Sequence, residues 1–168
     1  DKYGSRGIFI IHDQDEIVTK ALQTAEYTNC QEILIEEYND GFEFNMMTWV
    51  MDGEVNVISI ADREKTEVEE GMLPISTRNV YPSRFLSEVE KNATDVLQKY
   101  IRHTGQMEGA LSMQFFWKPD KGIQVCEIAG RFFGYEHELT DMVYGFSIEE
   151  LLLNYLYEKD KIQTMFAQ

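Results

Sequence analysis

An amide and a carboxylate that could bind a hard metal ion lie in one strand–turn–strand segment, residues 109–131. Gln114 lies inside the first, apolar strand, and Glu127 lies near the end of the second. In an antiparallel hairpin, residues near the open end of both strands can point to one face. Gln114 and Glu127 would then offer two oxygen ligands to Mg²⁺, which commonly completes its shell with substrate phosphates. The alternative is a solvated glutamate at a strand end, the commoner role of this residue type.

A guanidinium follows this pair, because Arg131 comes four residues after Glu127. The hairpin itself is predicted from an aromatic-rich run over 109–117, a turn ending at Gly122, and near alternation over 123–128. Gly122 can take the positive φ that such a turn needs. The sequence therefore predicts a rigid floor that carries an amide, a carboxylate and a guanidinium.

Composition narrows the classes of protein. With 168 residues, 43% of them hydrophobic and 12% aromatic, the chain can bury a core and is globular. A net charge of −15 argues against a nucleic-acid or anionic-membrane surface, and no apolar run approaches the roughly 20 residues of a membrane span. Cys30 and Cys126 lie far apart, so we expect two reduced cysteines in a cytoplasmic protein rather than a disulfide.

Hydrophobic periodicity predicts a mixed α+β chain in which antiparallel hairpins dominate. A helix starts after the N-cap Asp13, and Asp52-Gly53 is a strong hairpin signal. Residues 61–82 read as a functional or mobile loop. The remaining predicted strands cover 8–11, 32–38, 43–50, 54–60, 109–117 and 123–128, and the later helices cover 83–103, 136–143 and 147–157.

In this order, the features resemble the ATP-grasp superfamily over nearly the whole chain. The residues that carry the resemblance are Gly4-Ser-Arg-Gly7, Glu36-Glu37-Tyr38, Gly41-Phe42-Glu43 and Glu127-Ile-Ala-Gly-Arg131. Within the superfamily, the chain is most similar to carbamoyl-phosphate-synthase-like chains and to peptide or amino-acid ligases. The resemblance implies an α+β ATP-grasp fold. Residues 1–38 would be the remainder of the small subdomain, with a hinge strand, and residues 39–168 the carboxy-terminal subdomain with the metal-binding hairpin.

The same resemblance implies ATP and Mg²⁺ as cofactors, with Mn²⁺ as an alternative. Gln114 and Glu127 fall on the metal-ligand positions, and Arg131 would stabilise charge on the transferring phosphoryl group or acylphosphate. Ala129 stands where the family carries an asparagine, which removes one oxygen ligand. The implied contacts to the phosphates are Ser5, Arg6 and Gly7 in the loop and Arg63 or Lys65 near the triphosphate. The implied contacts to adenine are Glu36, Glu37, Tyr38, Asn39 and Phe116, and the implied contact to the ribose is Glu43.

The resemblance implies part of an ATP-dependent ligase that joins a small-molecule carboxylate to an amine through an acylphosphate. We expect the chain to be a piece of a longer protein, whose missing amino-terminal portion is its partner, and to be incomplete and inactive alone. A homodimer stays an open alternative, and neither nucleic acid nor membrane is expected as a partner. The second hypothesis is a non-catalytic ATP-grasp-like binding or regulatory module, motivated by Ala129 and by the missing first segment.

Overall fold

The computed structural model describes residues 7–30, 32–67 and 73–167. The chain divides into two compact units. The smaller unit lies within Asp1–Asp40 and Lys65–Thr77, and the larger within Gly41–Glu64 and Arg78–Gln168. Through the described ranges, every helix is too short or too polar to cross a membrane.

The described residues of the smaller unit hold one α-helix. The Asp13 carboxylate accepts a hydrogen bond of 3.0 Å from the Asp15 amide and caps a 3₁₀ turn, Gln14–Glu16, that continues into α1, Ile17–Ala25. The strands predicted over 8–11 and 32–38 are wrong, because residues 7–30 and 32–40 contain no strand. Residues 32–38 are also exposed. A strand needs a hydrogen-bonded neighbour, and the described part of this unit offers these apolar runs none.

The described residues form a five-stranded sheet in the order β3-β2-β1-β4-β5. Its strands are β1, Phe42–Met51; β2, Glu54–Lys65; β3, Ser76–Val80; β4, Gly109–Lys118; and β5, Gly122–Ala129. Both predicted hairpins form. The turn between β1 and β2 has φ of 53° at Asp52 and 75° at Gly53, and Gly122 takes 69°. These are the positive values that two-residue and glycine-containing hairpin turns require.

The predicted loop over 61–82 is only partly a loop. β2 continues to Lys65, and β3 forms at Ser76–Val80. Their added pairing extends the sheet beyond the strands predicted from alternation. Three helices lie close to the predicted ranges: α2, Leu86–Thr104; α3, His137–Tyr144; and α4, Ile148–Tyr157. A short α5, Ile162–Met165, was not predicted. The α3 and α4 helices are separated at Gly145, and the Ser147 hydroxyl accepts a 3.2 Å bond from the Glu150 amide.

Two apolar clusters cover the two faces of the sheet. On one face, α2 packs on the strands. Its residues Val89, Ala93 and Leu97 lie in one cluster with Phe44 of β1 and with Met113 and Phe115 of β4. On the other, Met47 and Trp49 pack with Phe132, Phe133, Ile148 and Leu151. Side chains alternate along β1, so Glu43 and Asn45 share the second face with Met47 and Trp49. This face is apolar at one end and polar at the other, and the polar end carries the candidate site.

Candidate functional site

The polar end is built on a row of three residues across three neighbouring strands. Asn45 of β1 pairs directly with Gln114 of β4, and Gln114 pairs directly with Glu127 of β5. Directly paired residues of antiparallel strands place their side chains on the same face. Gln114 is half-buried and Glu127 is exposed. The structure therefore brings the two residues predicted as metal ligands to one face.

Beside this row, Glu43, Arg63 and Gln114 form a closed polar group. Arg63 Nε lies 3.2 Å from Glu43 Oε1, and Arg63 Nη1 donates a 3.1 Å hydrogen bond to Gln114 Oε1. The Gln114 amide nitrogen donates to Glu43 Oε1. Glu43 and Arg63 have side chains only 4% and 22% exposed, so this ion pair is largely withdrawn from solvent. Two residues predicted for nucleotide contact thus touch a predicted metal ligand.

A second buried group was not predicted from the sequence. Glu136 is fully buried, and its Oε1 accepts from Asn45 Nδ2 at 2.6 Å and from Asn79 Nδ2 at 2.9 Å. Its Oε2 accepts from the Tyr81 hydroxyl. Burial raises the pKa of the Glu136 carboxyl, and the bonds from Tyr81 and Asn45 oppose that rise without cancelling it. Sequence reasoning assigned Glu136 only to the start of a helix, because nothing local indicates that its side chain is buried.

Two further predicted residues lie in the same unit. Arg131 follows β5, is exposed, and donates from Nη1 to the carbonyl of Phe132 at 3.2 Å. Phe116 is half-buried on β4 and pairs directly with Glu43. It therefore shares a face with Gln114, two residues away on the same strand.

The other predicted nucleotide residues belong to the smaller unit. Gly7 has a φ of 76°, and its carbonyl accepts a 2.9 Å bond from the Thr24 hydroxyl. Residues 36–39 belong to no helix or strand, so the predicted hinge strand is absent there, and Lys65 is the last residue of β2. Ser5 and Arg6 lie outside the described residues.

The donor set can be tested for a metal ion. Across the described ranges, no group of three or more histidine, cysteine, aspartate or glutamate side chains is arranged to hold one. The Gln114–Glu127 pair instead offers one amide oxygen and one carboxylate, and the Gln114 oxygen, which also accepts from Arg63, keeps a second lone pair. Two protein oxygens suit Mg²⁺ when phosphates supply the other ligands, and do not suit a metal caged by protein alone. The residues present fit Mg²⁺ delivered with a nucleotide.

Comparison with known proteins agrees with the fold. Residues 2–154 match the family described as "Carbamoyl-phosphate synthase L chain, ATP binding domain". No curated protein sequence matches the chain.

Solved structures with a similar fold include three ligases or carboxylases. VanG D-Ala:D-Ser ligase from Enterococcus faecalis superposes with a TM-score of 0.69 at 20% identity, over 97% of this chain and 46% of its own. Biotin carboxylase from Campylobacter jejuni, as a β,γ-ATP complex, gives 0.70 at 16%, over 91% and 34%. The biotin carboxylase domain dimer of Hydrogenobacter thermophilus 2-oxoglutarate carboxylase, with MgADP, ADP and bicarbonate, gives 0.65 at 19%, over 88% and 32%. The chain thus spans less than half the length of these structures, and the predicted α+β ATP-grasp fold is confirmed.

Proposed function

Because the chain belongs to the family of carbamoyl-phosphate synthase L chain ATP-binding domains, we propose that it is the ATP- and Mg²⁺-binding part of a carboxylate–amine ligase. In this proposal, the whole protein activates a small-molecule carboxylate as an acylphosphate and joins it to an amine. The observation that carries the proposal is the direct pairing of Gln114 with Glu127 on the polar end of the sheet.

The described side chains have distinct roles in this proposal. Gln114 and Glu127 hold Mg²⁺, which would neutralise phosphate oxygens as the phosphoryl group transfers. The exposed Arg131 guanidinium, five donors with a permanent charge, stabilises the negative charge that develops on that group. Arg63 is held by Glu43 at 3.2 Å and keeps the Gln114 amide in one orientation. Phe116 offers an apolar surface to the adenine ring.

A second candidate function is a nucleotide-binding or regulatory module without turnover. Ala129 favours it, because this residue pairs with Ser112 in the β4–β5 ladder and brings no side-chain oxygen to the site. With fewer metal ligands, Mg²⁺ would be held mainly by the nucleotide. The two candidates differ in whether ATP is consumed.

Titration calorimetry and product analysis on the full-length protein test the proposal. A ligase should bind MgATP and release ADP when a carboxylate substrate is present. Hydroxylamine should then attack the acyl carbon of the acylphosphate, releasing inorganic phosphate and leaving a hydroxamate that can be measured. Binding heat without ADP release across a panel of amino acids and other small carboxylates would favour the non-catalytic module, and no binding at millimolar MgATP would contradict both.

A further inference from the structure

The Glu136 carboxylate joins two strands of the larger unit, β1 and β3, to the start of α3. Asn45 lies on β1, Asn79 lies on β3, and Tyr81 lies just beyond β3. All three donate hydrogen bonds to Glu136, at 2.6 Å from Asn45 and 2.9 Å from Asn79. An ionised carboxylate only accepts hydrogen bonds, so this set of donors matches it fully. Glu136 itself directly precedes α3.

The segment 130–136 connects β5 to this group and carries Arg131. It leaves the sheet after Ala129, which is still paired with Ser112 of β4. Phe132 and Phe133 are then buried in the second apolar cluster, and Glu136 reaches Asn45. Since Asn45 pairs with Gln114, the far end of the segment is tied to the same row that carries the candidate metal ligands.

Stability alone is a poor reason for a carboxylate at this place. Glu136 is 0% exposed, and replacing buried charged groups by well-packed apolar residues is often neutral or stabilising. The charge therefore has to be explained by what it orients. Its donors fix it in space from two strands, and a short segment connects it to an exposed guanidinium.

We propose that Glu136 is a positioning residue, which holds the segment 130–136 against Asn45 so that Arg131 stays aligned with the Gln114–Glu127 pair during phosphoryl transfer. This inference rests on the proposed function. Glu136 is buried and does not touch substrate; it acts through Asn45 and through the backbone that leads to Arg131.

Two measurements on the full-length protein test this role. Glu136→Gln keeps the side-chain volume but presents an amide nitrogen where the carboxylate accepts from Tyr81 or the asparagines. Tyr81→Phe removes a single donor. In both variants, we expect hydrogen exchange of the amides of 130–136 to accelerate. We also expect the kcat of ATP-dependent ligation to fall, by roughly tenfold or more in Glu136→Gln, with an unchanged KM for MgATP.

The matched control is Glu108→Gln. Glu108 also accepts from a tyrosine hydroxyl, Tyr155 at 3.1 Å, but it is exposed and lies just before the start of β4, outside the row that carries Gln114. This variant should alter neither the exchange of 130–136 nor kcat.

Other results would count against the positioning role of Glu136 or against the proposed function. Unchanged exchange of 130–136 in Glu136→Gln would overturn the proposal, as would faster exchange with unchanged kcat. Equally fast exchange of 130–136 in Glu108→Gln would mean that losing any carboxylate bonded to a tyrosine loosens the segment. That result would also contradict a specific role for Glu136. If the unaltered protein neither binds nor turns over MgATP, the proposed function fails, and the exchange comparison alone decides whether Glu136 holds the segment.

Discussion

Gln114 and Glu127 lie directly opposite each other on the neighbouring antiparallel strands β4 and β5. The β4–β5 ladder shifts register between Gln114 and Phe115, and this irregularity brings Glu127 rather than Cys126 opposite Gln114, on the same face of the sheet. A site that uses both is positioned by the sheet itself. The partners of Gln114 on the other side, Glu43 and Arg63, are held by the same sheet.

Glu127→Gln should abolish or strongly reduce ADP release by the full-length protein while leaving the fold intact. Glu127 is exposed, so the free energy of unfolding should change by no more than about 0.5 kcal/mol. The lost charge weakens Mg²⁺ binding, so higher Mg²⁺ should restore part of the rate. The control is Asp120→Asn, an exposed aspartate in the turn of the same hairpin. Full activity of Glu127→Gln at low Mg²⁺ would rule out a metal role for Glu127.

Arg63→Met should destabilise the protein by about 3–5 kcal/mol, because it removes the guanidinium that lies 3.2 Å from the buried Glu43 carboxylate. Urea unfolding measures this change. Arg78→Met is the matched control: Arg78 also pairs with a glutamate, Glu64, but its side chain is 71% exposed. Loss of such an exposed pair should cost no more than about 1 kcal/mol. Equal losses in the two variants would mean that burial of the Glu43–Arg63 pair does not matter.

The raised pKa of Glu136 predicts an unusual dependence of stability on pH. Burial makes the folded protein bind the proton of the Glu136 carboxyl more tightly than the unfolded chain does. The stability due to the proton is therefore fully present below the unfolded value of about 4.3, and is lost as pH rises through the higher folded value. The free energy of unfolding of the unaltered protein, minus that of Glu136→Gln, should fall as pH rises over this window.

Glu108 should give the opposite slope and serves as the comparison. A hydrogen bond from Lys159 lowers the pKa of the Glu108 carboxyl, with the Tyr155 hydroxyl as the next cause. Its contribution is thus present above the unfolded pKa and is lost as pH falls through the folded one. Urea unfolding of Glu108→Gln across the same pH series checks this, and slopes of the same sign in both variants would contradict the assignments.

Gly7→Ala should destabilise the smaller unit. At a φ of 76° the left-handed backbone strains any residue with a Cβ, and that Cβ would lie 2.9 Å from the Cβ of Tyr27. We expect faster hydrogen exchange in α1, whose Thr24 bonds to the Gly7 carbonyl. Gly134→Ala is the control, because an added Cβ there meets nothing within 4 Å. Unchanged exchange of α1 in Gly7→Ala would show that Tyr27 yields and that the backbone strain is small.

Local signals predicted the elements whose cause is local. The Asp52-Gly53 turn, the Gly122 turn and the Asp13 cap all form because each depends on residues within a few positions. The strand predicted over 32–38 is wrong, because an apolar run becomes a strand only when another strand pairs with it. β3 was missed for the opposite reason, since its five residues alternate weakly and depend on the neighbouring strand.

The candidate site also has a part whose cause is local in the sequence and a part whose cause is not. The hairpin that carries Gln114 and Glu127 could be predicted from its turn, but the exact pairing could not: register counted from the turn would put Cys126 opposite Gln114, and a register shift between Gln114 and Phe115 puts Glu127 there instead. The group around Glu136 could not be predicted, because Asn45 lies 91 residues away from it and Asn79 lies 57 away. No periodicity in the sequence connects such distant positions.

The closed group of Glu43, Arg63 and Gln114 constrains how this site can change in sequence. The Gln114 amide donates to Glu43 and accepts from Arg63, so the amide is held in one orientation while its oxygen keeps a second lone pair for a metal ion. A carboxylate at position 114 would place a second negative charge against Glu43, with one guanidinium between them. Homologues that carry an acidic residue at 114 should therefore differ at 43 or 63 as well, and the three positions should be exchanged together rather than one at a time.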